Sequence, residues 1–157
     1  MQRIAIVGAS GRMGLNLIKA AHAAEITGKA KLTAAVSRPQ STSIGQDEGI
    51  LANVGATGVT IVPTLDQVLD CFDVVIDFTR PEASLNHLAI CQHAGKQIVI
   101  GTTGFTDSQK AQIVEMARDT AIVYAPNFSV GVNLLLKLLT ITTQVVGEYS
   151  EIGRAHV

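Results

Sequence analysis

Ile4-Ala5-Ile6-Val7-Gly8-Ala9-Ser10-Gly11-Arg12-Met13-Gly14-Leu15 joins a short apolar run to three glycines, each three residues from the next, and then to an apolar-periodic segment. The order reads as strand, tight turn and helix start. Backbone N–H groups in the first turn of a helix have no intrahelical partner, and the helix dipole adds partial positive charge there, so such a turn favours a bound phosphate. Glycine at 8 and 11 lets a pyrophosphate approach the backbone, and Gly14 lets helix and strand come close. The spacing Gly-x-x-Gly-x-x-Gly is a variant of the dinucleotide fingerprint Gly-x-Gly-x-x-Gly. Taken alone, it is also compatible with a purely structural turn.

The chain of 157 residues suits one domain with a sizeable core. Its net charge of −1 and lack of a lysine or arginine cluster predict neither a nucleic-acid nor a membrane-surface partner. Alanine, valine, isoleucine and leucine dominate the 47% apolar share while aromatics supply 4%, which fits a buried parallel sheet. No run of apolar residues is long enough to span a bilayer, and the first residues read as a strand rather than a signal sequence, so a cytoplasmic location is expected. Cys71 and Cys91 fit no metal or redox spacing. His87 and His93 point in different directions on one predicted helix, and no metal site is expected.

Strands are predicted near 3–7, 31–36, 58–62, 74–78, 97–101 and 121–124, with helices between them. The first helix runs from Arg12 to Thr27 and stops at Gly28. A short one follows Thr64, with Gln67 at capping-box spacing, and another begins at Pro81 and stops at Gly95. Thr106 and Gln109 repeat the capping box for a helix ending near Asp119, and a last helix covers Val130 to Gly147. Residues 39–58 read as a long surface connection. This alternation predicts an α/β fold, a Rossmann-like doubly wound parallel sheet of about six strands.

Ligands of open parallel sheets bind outside the carboxyl ends of the strands. The unusual residues of this chain gather there: the glycine turn, Ser37-Arg38-Pro39, Phe78-Thr79-Arg80-Pro81-Glu82, Gly101-Thr102-Thr103-Gly104 and Ala125-Pro126-Asn127-Phe128-Ser129. Thr102 and Thr103 could equally satisfy backbone groups at a strand end, and Asn127 could cap the last helix. An acidic residue about twenty positions past the glycine turn normally binds the adenine-ribose 2′-hydroxyl. Ser37 stands there instead, followed by Arg38. A serine hydroxyl can bond a 2′-phosphate and a guanidinium can pair with it, so NADPH is expected to bind at least as well as NADH. The turn lacks the Gly-Lys-Ser/Thr ending of a P-loop, and no Gly-x-Ser-x-Gly elbow occurs. Neither Tyr124 nor Tyr149 is followed by a lysine four residues on, so the catalytic pair of short-chain dehydrogenases is missing too.

The segments Gly8 to Gly14, Asp77 to Glu82, Ile100-Gly101-Thr102-Thr103-Gly104-Phe105 and Ala125 to Asn133 together resemble 4-hydroxy-tetrahydrodipicolinate reductase of bacterial lysine biosynthesis, over about residues 2–152. The resemblance implies a nicotinamide-dependent reductase delivering a hydride to a cyclic dicarboxylate on the route to diaminopimelate. It implies cofactor contacts at Gly8, Ala9, Ser10, Gly11, Arg12, Met13, Ser37, Arg38, Phe78, Arg80, Gly101, Thr102, Thr103, Ala125, Pro126, Asn127 and Phe128. Many family members carry an acidic residue where this chain has Ser37, which strengthens the expectation of NADPH over NADH.

The family's second domain binds substrate, builds a homotetramer and supplies catalytic residues through a His-His-x-x-x-Lys motif that this chain does not contain. No catalytic residue is therefore assigned here. Residues 1–129 are expected to form the cofactor domain, 130–152 to be the helix and strand leading towards a substrate domain, and 153–157 to be a non-native tail. The last helix is apolar most of the way round, so part of it is expected to be exposed and to promote association. The chain alone is expected to bind cofactor without turnover; the alternative is a non-catalytic dinucleotide-sensing module.

Overall fold

The structure, a computed structural model, describes residues 1–147. The strands are β1 (Gln2–Val7), β2 (Ala30–Val36), β3 (Ile61–Val62), β4 (Val74–Asp77), β5 (Gln97–Ile100) and β6 (Ile122–Tyr124). The helices are α1 (Arg12–Ile26), α2 (Glu48–Leu51), α3 (Pro81–His93), α4 (Asp107–Met116) and α5 (Val130–Val146). By internal contact the chain divides into two units, the first ending at Pro126 and the second beginning at Asn127.

In the first unit six strands form one sheet in the order β3-β2-β1-β4-β5-β6, every pair parallel. This is the doubly wound, Rossmann-like arrangement predicted from the alternation. The chain builds outward from β1 through β2 to β3, then returns to place β4 on the other side of β1. Crossovers therefore diverge between β1 and β4, and that divergence opens a crevice at the strands' carboxyl ends.

Strand period two sorts the core into two layers. Ile4 and Ile6 point to the face covered by α1, where they pack with Ile18, Ala21, Leu32 and Ile61. Ala5 and Val7 point to the other face and pack with Val75, Leu88, Cys91, Ile98, Ile100 and Ile113. Burial on both faces explains why the strands read as unbroken apolar runs. The pairing of β1 with β2 slips between Ile4 and Ala5, leaving Thr33 as the extra residue, and its hydroxyl donates to the Ile4 carbonyl at 3.3 Å.

Two local expectations are corrected. Thr64 caps nothing with its side chain: the segment Leu65–Cys71 is a 3-10 turn in which Val68 leaves helical geometry, so no regular first turn presents its amides to the threonine. Residues 39–58 are not a plain surface connection either. Asp47 caps α2 by accepting from Gly49 N and Ile50 N at 2.9 and 3.1 Å, and it also accepts from Thr57 N and Gly58 N at 3.1 and 2.7 Å. That carboxylate folds the segment onto itself and buries Ser43, Glu48, Gly49 and Ala52.

Burial pushes the Glu48 carboxyl up, against a hydrogen bond from Thr57 Oγ1 at 2.8 Å, and Oε2 has no partner among the described residues. A carboxyl with a raised folded pKa costs stability where it is ionised, and the cost fades as pH falls through that pKa and is gone below the unfolded one. Glu48→Gln is accordingly expected to raise the urea midpoint at pH 7 and to leave it unchanged at pH 4; an equal shift at both would show that ionisation is not the cause.

In the second unit, Ser129 rather than Asn127 is the N-cap of α5, its Oγ accepting from Val132 N at 3.3 Å. Asn127 makes the preceding turn, its Oδ1 accepting from Ser129 N at 2.7 Å. None of the α5 residues is buried, and Leu134, Leu135, Leu136, Leu138 and Leu139 are each more than half exposed. The strand expected near 148–152 and the tail at 153–157 lie outside the described residues.

Candidate functional site

The crevice is walled by several strand ends. Gly8 turns the chain at φ +70°, where a side chain would be strained, and Gly11 N–H closes the turn onto the Gly8 carbonyl at 2.9 Å. A Cβ at Gly14 would collide with the carbonyl oxygens of Gly8 and Ala9, so helix and turn meet backbone to backbone. Gly11 is the N-cap of α1, and neither a capping side chain nor an acidic residue satisfies the first turn. In α4 the reverse holds: Thr106 and Gln109 complete a capping box and Asp107 stands in the first turn. The start of α1 thus retains donors and partial positive charge for an anion.

A cavity of about 700 Å³ opens beside this turn. Gly8, Ser10 and Gly11 form one wall, Ser37, Arg38, Pro39 and Ser41 a second, and Phe78, Thr79 and Arg80 a third. Pro63, Thr64, Leu65 and Asp66 come from beyond β3, while Ala83, Asn86, His87 and Ile90 come from one face of α3. Seven of the sequence-predicted residues line it: Gly8, Ser10, Gly11, Ser37, Arg38, Phe78 and Arg80.

The other assigned residues lie elsewhere. Ala9 is fully buried beneath the turn, its N–H donating to the Val36 carbonyl at 2.9 Å. Arg12 and Met13 are exposed in the first turn of α1. Gly101 lies under the Phe78 ring, which occupies the space a Cβ would need. Thr103 and Pro126 are exposed, and Ala125 is held by its N–H on the Ile100 carbonyl at 3.2 Å. Asn127 and Phe128 belong to the second unit.

Two side chains have tasks different from those expected. Ser37, expected to bond a 2′-phosphate, is only 1% exposed; its Oγ accepts from Ser10 N at 3.1 Å and donates to Ser10 Oγ at 3.0 Å. Its single proton is committed to tying the glycine turn to β2. Thr102 is also buried, its Oγ1 bonding Ser84 Oγ at 2.7 Å and reaching Asp77 Oδ1 at 3.4 Å. Arg38 and Arg80 are exposed and bring cationic groups to the cavity, whereas Asp66 brings a carboxylate.

Asp77, the last residue of β4, is fully buried beneath the crevice. Its Oδ1 accepts from Thr79 N at 2.8 Å and Thr79 Oγ1 at 2.6 Å, and its Oδ2 lies 2.8 Å from His87 Nδ1. Burial alone would push this carboxyl up, but the bonds from His87 and Thr79 outweigh it and hold the group below its usual range. A buried carboxylate thus fixes the β4 turn, α3 and the start of the β5 turn relative to one another. The sequence reading missed Asp66, Asn86, His87 and the structural task of Asp77. One signal was available: Ala83, Asn86, His87 and Ile90 fall at i, i+3, i+4 and i+7 on one helix face.

The family model described as dihydrodipicolinate reductase, N-terminus, matches residues 2–128. Dipicolinate-bound dihydrodipicolinate reductase from Paenisporosarcina sp. TG-14 superposes with a TM-score of 0.71 at 25% identity, over 91% of this chain and 54% of that one. An amine dehydrogenase from Mycobacterium smegmatis gives a TM-score of 0.62 at 19% identity, covering 78% of this chain and 38% of its own. The WlbA dehydrogenase from Chromobacterium violaceum, in complex with NADH and UDP-GlcNAcA, gives 0.65 at 19% identity, covering 92% and 40% respectively. At that identity the last two share the fold alone. The chain spans about half the length (54%) of the reductase structure. Among the described residues no helix is long and apolar enough to cross a membrane, and no group of three or more His, Cys, Asp or Glu is placed to hold a metal ion.

Proposed function

Because this chain belongs to the family of dihydrodipicolinate reductase N-terminal domains, we propose that it is the cofactor-binding part of an NAD(P)H-dependent reductase acting on 4-hydroxy-tetrahydrodipicolinate, in diaminopimelate and lysine biosynthesis. The observation that carries the reading is the start of α1, without side-chain cap or acidic residue, opening onto a 700 Å³ cavity at the divergence of β1 and β4. A pyrophosphate suits those amides, and the backbone contact made possible by Gly14 keeps them in place.

In this reading the glycine turn and the first residues of α1, Arg12 and Met13, hold the pyrophosphate, with Ala9 buried beneath them as support, and Arg38, Arg80 and the cavity walls hold the adenosine half. Gly101 to Thr103, Ala125 and Pro126, which follow β5 and β6, are assigned to the nicotinamide half. The bound cofactor supplies the hydride; the protein supplies orientation. Residues 1–129 form the cofactor domain, and 130–152 lead towards the part of a full-length cytoplasmic homotetramer that holds the dicarboxylate. The His-His-x-x-x-Lys motif does not occur in the 157 residues, so binding without turnover is expected.

NADPH is the preferred cofactor, with NADH second. Support comes from Arg38 on the cavity wall and from the absence of a carboxylate at position 37; the buried hydroxyl of Ser37 is not part of the argument. Arg38→Ala is expected to weaken NADPH about tenfold, because a guanidinium–phosphate pair is charge-assisted, while changing NADH by less than about threefold. Dissociation constants from nicotinamide fluorescence check this. Equal losses for both cofactors, or tenfold tighter NADH in the unaltered chain, would overturn the preference, and oxidation of NADPH by the pure chain with substrate would overturn the expectation of no turnover.

A further inference from the structure

His87 has a ring nitrogen that the fold does not use. Its Nδ1 faces Asp77 Oδ2 at 2.8 Å, and an ionised carboxylate has no proton to give, so the imidazole is the donor. An uncharged ring that carries its proton on Nδ1 presents a bare lone pair on Nε2. That atom has no hydrogen-bond partner among the described residues, and the side chain, 15% exposed, forms part of the cavity wall.

We propose that Asp77 fixes His87 as a hydrogen-bond acceptor on the cavity wall, and that this acceptor selects a base bearing an exocyclic amine, adenine, over one bearing a carbonyl at the same position. The proposal rests on the dinucleotide reading above. In folds of this type the residue at the end of the second strand meets the adenine ribose, which assigns the base to the cavity shared by Arg38, Arg80 and α3. Arg38 and Arg80 offer only donors and would favour a carbonyl. Asp66 is a second acceptor on the wall, so the test must separate it from His87.

The test uses the whole 157-residue chain and two probes: NADPH, and reduced nicotinamide hypoxanthine dinucleotide phosphate, in which a carbonyl oxygen replaces the adenine amine. The unaltered protein is expected to bind NADPH about tenfold more tightly, the effect of leaving one polar site group mismatched. His87→Phe keeps an aromatic ring and removes the acceptor, so the two dissociation constants should fall within about twofold of each other. In Asp77→Asn, Thr79 N–H and O–H require the amide oxygen, which turns the NH2 towards Nδ1 and moves the imidazole proton to Nε2. The preference should then reverse in favour of the hypoxanthine cofactor. A purely structural role for Asp77 would weaken both probes alike.

No discrimination by the unaltered chain overturns the proposal alone, as does a ratio unchanged in His87→Phe, which would assign the selection to Asp66. Failure of both probes to bind the unaltered chain overturns the dinucleotide reading and the proposal with it. An Asp77→Asn protein that does not fold leaves the other two ratios to decide.

Discussion

Gly14→Ala should cost the fold about 3 kcal/mol and reduce NADPH binding beyond measurement, the upper end of what overpacking does in a close-packed region. The added methyl would sit 2.6 Å from the Ala9 carbonyl oxygen and closer still to that of Gly8. Both obstacles are backbone, so no side-chain rotation relieves them. The start of α1 has to move off the turn, and the bonds from Gly11 N to Gly8 O at 2.9 Å and from Leu15 N to Gly11 O at 3.0 Å are the ones it strains. Those bonds hold the amides that the pyrophosphate needs. Gly28→Ala is the control: nothing lies within 4 Å of its Cβ, and only the positive φ of 70° is violated, at about 1 kcal/mol. Domains of this size have roughly 5–15 kcal/mol of stability, so both variants stay folded enough for urea denaturation to compare them. Equal losses, with NADPH binding preserved in Gly14→Ala, would mean that close approach of helix and turn is not what the third glycine provides.

The features that could be read from sequence are those whose physics is local. Pro81 opens α3 and Gly95 follows it at φ 65°, while Thr106 and Gln109 make both bonds of their capping box. Thr64 and Gln67 have the same spacing and make no cap bond, because the chain there tightens into a 3-10 turn around Leu65, whose side chain is buried against the sheet. Polarity misleads in 39–58, where Asp47 turns four backbone donors inward and makes a folded unit from residues that look like solvent-facing loop. Ser37 misleads for a related reason: its partner Ser10 lies 27 residues away, and only the sheet brings them together. His87 could be placed on the right helix face by periodicity, yet its pairing with Asp77 depends on β4 ending directly under α3.

Asp77→Ala is expected to be the most damaging single truncation in the first unit, at about 3–5 kcal/mol, the usual cost of removing one partner from a buried charged network. The carboxylate, itself 0% exposed, accepts from Thr79 N, Thr79 Oγ1 and His87 Nδ1, and its removal takes the acceptor from all three. Asp77→Asn retains the amide oxygen for Thr79 and should cost only about 1–2 kcal/mol. The sign of the pH dependence follows from the depressed pKa. The folded chain holds Asp77 ionised to lower pH than the unfolded chain, whose carboxylate titrates near 3.9, so the unfolded state binds the extra proton first. The stabilisation is complete above about pH 5 and is lost as pH falls through the folded pKa. The part of the unfolding free-energy difference between the unaltered protein and Asp77→Asn that comes from the ionised carboxylate should therefore shrink below about pH 4. A difference that persisted undiminished to about pH 2.5 would mean that Asp77 is not the ionised acceptor that orients His87, and the base selection argued from that orientation would fall with it.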